Sequence, residues 1–127
     1  MGKILIVDDD EAFANLLAAS MRESYPLLQV EVCTDPLKSL KIIQGGGFNL
    51  LLIDLEMPVI DGTKIYKFAT DAGFDKKRIV ILSGRDADYL HEHFPLGSCL
   101  AVLNKYEAKQ KAVLEMIFTS LQKKAAG

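Results

Sequence analysis

Asn49-Leu50-Leu51-Leu52-Ile53-Asp54-Leu55-Glu56-Met57-Pro58 is an apolar run that ends on a carboxylate, followed by a Met-Pro turn. Four apolar residues in a row, bounded by turn residues, predict a strand buried on both faces. Such a strand belongs in the middle of a parallel sheet covered by helices. Pro58 prevents regular ladder pairing from continuing, so Asp54 opens a loop. Asp61-Gly62 then leads the chain into a new helix. In open α/β sheets, chemistry gathers at the carboxyl ends of the strands. Taken alone, Asp54 reads equally well as a loop aspartate that only caps the next turn.

The flanking segments repeat the pattern. Ile4-Leu5-Ile6-Val7 is an apolar run ending on Asp8-Asp9-Asp10. Phe13, Leu16, Leu17 and Met21 recur at helical spacing after an aspartate suited to an N-cap. Leu28 to Cys33 alternates partly and reads as a second strand. Asp35-Pro36 is an N-cap with a first-turn proline, and Leu37, Leu40 and Ile43 continue that helix until Gly45-Gly46-Gly47. After the central strand, Ile65, Phe68, Ala69 and Ala72 mark a third helix, stopped by Gly73. Arg78 to Ser83 reads as the fourth strand, with a hydroxyl at its end. Asp86 to Phe94 is a short helix with a thin apolar stripe, expected to be mobile. Cys99 to Leu103 reads as the fifth strand, ending near Lys105, and Val113, Met116, Ile117 and Leu121 mark the last helix. The end, Lys123 to Gly127, is expected to fray.

Strand and helix alternate five times. That is the α/β pattern of right-handed crossovers and a parallel sheet. Five strands suit a flavodoxin-like (βα)5 fold of order 2-1-3-4-5, with helices on both faces and a switch point between strands 1 and 3. Those are the strands that end in aspartates.

Composition narrows the function classes. The 127 residues suit one domain spanning 1–127, large enough to remove about two thirds of its unfolded surface from water. A net charge of −2 favours neither nucleic acid nor an anionic membrane. No apolar run reaches the ~20 residues of a membrane helix, and Met1-Gly2-Lys3-Ile4 enters a strand pattern with no signal peptide. Cys33 and Cys99 stand singly and read as buried free thiols. Together these features point to the cytoplasm. His91 and His93 are two apart on a helix, so they diverge and read as surface residues. Lys109, Lys111, Lys123 and Lys124 read as a solvated helix face. No glycine-rich phosphate loop is present, which argues against ATP binding.

In the order 2-1-3-4-5, Asp8, Asp9 and Asp54 converge in one crevice. Three carboxylates so close stay ionised only if a cation joins them. Oxygen ligands of this kind suit Mg²⁺, which keeps several waters. Ser83 and Lys105 end the neighbouring strands and supply a hydroxyl donor and an ammonium. Carboxylate, divalent ion, hydroxyl and ammonium make a phosphoryl site, with Asp54 in the position of a nucleophile that becomes an aspartyl phosphate. Each residue alone has a blander reading: a solvated helix start for the aspartates, a surface group for Ser83 or Lys105.

Asp8-Asp9, the Asp54-x-x-Met57-Pro58-x-x-Asp61-Gly62 pattern, Ser83 and Lys105 together resemble the receiver domain of two-component response regulators, over essentially the whole chain. The resemblance implies that Asp54 accepts phosphate from a sensor histidine kinase or phosphotransfer protein. It implies that Asp9, Asp54 and the backbone carbonyl of Glu56 hold Mg²⁺ directly, with Asp8 acting through water. Ser83 and Lys105 would each bond a phosphoryl oxygen. The face of helix 4, strand 5 and helix 5 would meet a downstream target or output domain. Glu56 and Arg85, two residues beyond Asp54 and Ser83, would flank the pocket mouth as an opposite-charge pair and modulate hydrolysis. Such a protein is a switch that catalyses only its own phosphorylation and dephosphorylation, and it contacts neither nucleic acid nor membrane directly.

Two positions depart from the family pattern. Val102 stands where a Tyr or Phe switch side chain is usual, and Tyr106 where a cis proline follows the lysine. Without proline, the Lys105–Tyr106 bond is expected to be trans. Signalling is then expected to pass through Gly84 and the fourth helix. These departures keep alive a receiver-like interaction module that works without phosphate. A second alternative is an aspartate-nucleophile phosphatase of the haloacid dehalogenase type, matched superficially by Asp8-x-Asp10. Ala12 stands where that pattern needs a hydroxyl.

Overall fold

Strand pairing follows the expected order in the computed structural model, which describes residues 2–85, 87–95 and 97–127, with the backbone alone at Ala87. β1 (Lys3–Val7), β2 (Gln29–Cys33), β3 (Leu50–Asp54), β4 (Ile79–Ser83) and β5 (Ala101–Asn104) lie parallel in the order β2-β1-β3-β4-β5. They alternate with α1 (Glu11–Ser24), α2 (Pro36–Gly45), α3 (Gly62–Asp71), α4 (Ala87–His93) and α5 (Ala108–Ala125). No helix among the described residues is long and apolar enough to cross a membrane.

The apolar runs become strands because both faces of the sheet are covered. Successive side chains point to opposite faces, so each run divides between two cores. Leu5, Val7, Leu51, Ile53, Ile79 and Ile81 pack with Ile43, Ile65, Ala69 and Leu90 on one side. Ile4, Ile6, Leu50, Leu52, Val80 and Leu82 pack with Ala14, Ala18, Met21, Leu114 and Phe118 on the other. Every residue of β3 and β4 is buried. Aspartates cap three helices: Asp10 accepts from Phe13 N at 3.0 Å, Asp35 from Leu37 N at 3.0 Å and Asp61 from Lys64 N at 3.2 Å.

The register brings the strand ends level. Val7 pairs with Ile53, Ile53 with Ile81, and Ile81 with Val102. Asp8, Asp54, Ser83 and Lys105 therefore emerge along one rim of the sheet.

Some boundaries differ from expectation. Regular pairing of β5 begins at Ala101 rather than Cys99. Cys99 lies in the preceding bend and is half-buried, its thiol donating to Ala101 O at 3.4 Å, whereas Cys33 is buried. β2 and β4 begin one residue later than expected, at Gln29 and Ile79; Leu28 N–H bonds Tyr25 O and Arg78 closes a 3-10 turn. At the carboxyl terminus α5 continues through Ala125, whose Cβ would stand 3.2 Å from a β-carbon at residue 2. Its last turn thus packs against the segment entering β1. The expected start of the fourth helix at Asp86 lies outside the described residues. Within α4, Leu90 and Phe94 just after it are the buried anchors. His91 and His93 are exposed, as are Lys109, Lys111, Lys123 and Lys124.

Candidate functional site

The rim builds an acidic pocket. Asp8 and Asp54, at the ends of adjacent strands, are 1% and 3% exposed, while Asp9 is exposed to solvent. Each of the three can offer one carboxylate oxygen within 4.8 Å of the others. Lys105 reaches in from the loop after β5. Its Nζ lies 2.7 Å from Asp8 Oδ2 and 3.2 Å from Asp54 Oδ1, and 4.6 Å from the centre of the Phe13 ring. An ammonium and an aromatic face attract when desolvated, so Phe13 helps hold the lysine inward.

The charges are strongly coupled. Burial, reinforced by the charge of Asp8 and opposed by Lys105, pushes the Asp54 carboxyl up to about 7. Burial alone would lower Lys105, but bonding to Asp8 and the charge of Asp54 outweigh it and hold its ammonium above the usual range. One ammonium against three carboxylates leaves a surplus of negative charge in a largely buried cradle of hard oxygen donors. That donor set fits a divalent cation such as Mg²⁺ rather than a softer metal.

Local sequence explains how Asp54 is presented. Gly62 opens α3 directly against the end of β3, and its N–H donates to Leu55 O at 2.8 Å. A β-carbon at 62 would lie 2.3 Å from Asp54 O. Asp61 caps the same helix and accepts from the Thr63 hydroxyl, which holds the Asp61 carboxyl below its usual range.

Ser83 closes the far side of the pocket. Asp54 pairs with Leu82 in the register, so Ser83 stands one residue beyond it on the adjacent strand. Ser83 Oγ donates to the Glu56 carboxylate at 2.6 and 2.7 Å and accepts from Arg85 N at 2.9 Å. Glu56 and Arg85, expected at the pocket mouth, make no ion pair with each other among the described residues. A buried hydroxyl requires an acceptor, and Glu56 turns inward to supply it. The Arg85 guanidinium instead lies 3.9 Å from the centre of the Tyr89 ring, which in turn stacks on His93.

Asn104, not singled out in the sequence, completes the rim. Asn104 Nδ2 donates to Arg85 O at 2.9 Å, and Asn104 Oδ1 accepts from Tyr106 N at 2.8 Å. The exposed Tyr106 ring lies over Gly84, where a β-carbon would come within 3.3 Å of Cε2. No described peptide bond is cis, so the Lys105–Tyr106 bond is trans as expected. Val102 is half-buried against the core. Asp10, the second aspartate of the phosphatase-like pattern, is committed to capping α1.

The model of the response regulator receiver domain matches residues 4–117. This chain belongs to the response regulator receiver family. Response regulator MprA of Mycobacterium ulcerans is 30% identical over 112 residues, covering 78% of this chain and 47% of the relative. Stress response regulator protein 1 of Lodderomyces elongisporus is 28% identical over 86 residues, covering 67% of this chain and 24% of that protein. The receiver thus spans about half or less of the curated relatives it matches. Among solved structures, a Francisella response regulator receiver domain superposes with a TM-score of 0.77 at 21% identity, covering 98% of each chain. Response regulator TrrA of Thermotoga maritima, in complex with Mg²⁺ and BeF, gives 0.78 at 21% identity, covering 95% of this chain and 99% of that one. These likenesses extend the fold across the full sheet and both helix layers.

Proposed function

We propose that this receiver, residues 1–127, is a phosphorylation-dependent switch with Asp54 as phosphoacceptor and a sensor histidine kinase or phosphotransfer protein as donor. The observation that carries the reading is the position of Asp54. It ends the central strand, 3% exposed, flanked by Asp8 and held 3.2 Å from Lys105. An Asp54 oxygen attacks phosphorus in line as the bond from phosphorus to the donor imidazole nitrogen breaks. Lys105, already at Asp54, meets a phosphoryl oxygen, and the Ser83 hydroxyl meets another.

Asp9, Asp54 and the Glu56 backbone carbonyl would hold Mg²⁺, with Asp8 acting through water; bound there, the ion neutralises charge on the phosphoryl oxygens. The chain has no further enzymatic role in this reading. It acts in the cytoplasm, and its output passes through α4, β5 and α5 to a target protein or output domain, without direct contact to nucleic acid or membrane. Incubation with an acyl phosphate and Mg²⁺ should add one phosphoryl group that hydroxylamine removes. Labelling that persists in Asp54→Asn would overturn the assignment.

A further inference from the structure

Ser83 is fully buried, and its hydroxyl is engaged on both sides. Oγ lies 2.6 Å from Glu56 Oε1 and 2.7 Å from Oε2, and it accepts from Arg85 N at 2.9 Å. A serine hydroxyl has one proton to give. Here that proton is shared between the two oxygens of a carboxylate, at distances typical of charge-assisted bonds.

We infer that Glu56 is a positioning residue: its carboxylate holds the Ser83 hydroxyl in the resting state and competes for it with the phosphoryl group. The inference rests on Asp54 being the phosphoacceptor. A phosphoryl oxygen on Asp54 gains the Ser83 donor only when Glu56 releases it. Glu56 is itself exposed, so its carboxylate passes to water on release rather than being stranded in the core. The Arg85 N–H to Ser83 Oγ bond uses a lone pair of the hydroxyl oxygen and not its proton, so it need not break. The exchange therefore swaps one anionic acceptor for another. The resting carboxylate sets how strongly the pocket must bind an anion before Ser83 responds.

The test is a titration of Mg²⁺-loaded protein with beryllium fluoride, followed by amide chemical shifts, in wild type, Glu56→Ala, Ser83→Ala and the double variant. Glu56→Ala should tighten binding about tenfold, the scale of one hydrogen bond to a charged group. In the Ser83→Ala background the same substitution should give little further gain. Glu56→Gln keeps an acceptor for the hydroxyl without the charge and should fall between wild type and Glu56→Ala. Unchanged affinity in Glu56→Ala would overturn the inference. So would an equal gain in the Ser83→Ala background, which would mean simple charge repulsion. If wild type binds beryllium fluoride and only the Glu56 effect is missing, Asp54 stands and the positioning role falls. If wild type takes up neither beryllium fluoride nor a phosphoryl group, both readings fall.

Discussion

A β-carbon at residue 62 would lie 2.3 Å from the carbonyl oxygen of Asp54 and 2.7 Å from the α-carbon of Leu55. Only glycine lets α3 begin this close to the end of β3. The opposing atoms are backbone, so no rotamer change relieves the contact. Gly62→Ala should therefore displace α3 or the Asp54 peptide, at about 1–3 kcal/mol in urea unfolding. Phosphorylation by an acyl phosphate should slow as well, because the displaced peptide carries Asp54. A loss below about 0.5 kcal/mol, the range of an ordinary surface change, would show the contact to be slack.

The Asp54 carboxyl sets a pH dependence of known sign. Its pKa is raised from 3.8 to about 7 in the metal-free fold, first by burial and then by Asp8. The folded state binds that proton more tightly than the unfolded chain does. The associated stability is complete below 3.8 and is lost as pH rises through 7. In EDTA, Asp54→Asn should thus melt above wild type at pH 8, and the gap should narrow at pH 5. A gap that widens on acidification would contradict the burial of this carboxylate.

Mg²⁺ should reverse that penalty by joining carboxylates that now share one lysine. Saturation at a hundredfold excess over the dissociation constant stabilises by roughly 2.7 kcal/mol. Asp9 is exposed and has no part in the Lys105 ion pairs, so Asp9→Ala tests the metal without removing a buried charge. The melting temperature of wild type should rise with Mg²⁺ and that of Asp9→Ala should rise much less. Equal responses would remove Asp9 from the site.

The strands and the acidic rim were legible because both depend on short-range pattern. Short apolar runs such as Leu50 to Ile53, bounded by turn residues, suit central strands, and strand order then places Asp8, Asp9, Asp54, Ser83 and Lys105 together. Side-chain direction in the loops was not legible. Glu56 was expected only to flank the pocket mouth opposite Arg85 and modulate hydrolysis. Its partner is the Ser83 hydroxyl, whose burial becomes evident only in the fold. Asn104 carried no signal, since a single amide is ordinary at a strand end. Val59 adopts φ +70°, a region that disfavours β-branched residues, so propensity pointed away from it. Ile60 N–H donates to Pro58 O across it at 2.8 Å.

The route by which the pocket signals follows from the contacts between two loops. Lys105 N donates to Ser83 O at 2.8 Å, Asn104 Nδ2 to Arg85 O at 2.9 Å, and Tyr106 covers Gly84. Val102 is β-branched, stiff at χ1 and too small to report a change as a rotamer flip. A movement of Ser83 should therefore pass along Gly84 and Arg85 into α4, and across Asn104 to the start of α5. Amide exchange with and without beryllium fluoride should show protection changes concentrated at Gly84, Arg85 and α4. Val102→Ala should retain them. Asn104→Ala should keep the α4 changes and weaken those at Tyr106, because it removes the Asn104 bonds to Arg85 O and Tyr106 N while leaving Ser83 and the Lys105 N to Ser83 O bond in place. If the changes instead centre on β5, or disappear in Val102→Ala, then Val102 is part of the switch and transmission through the loop after β4 is wrong.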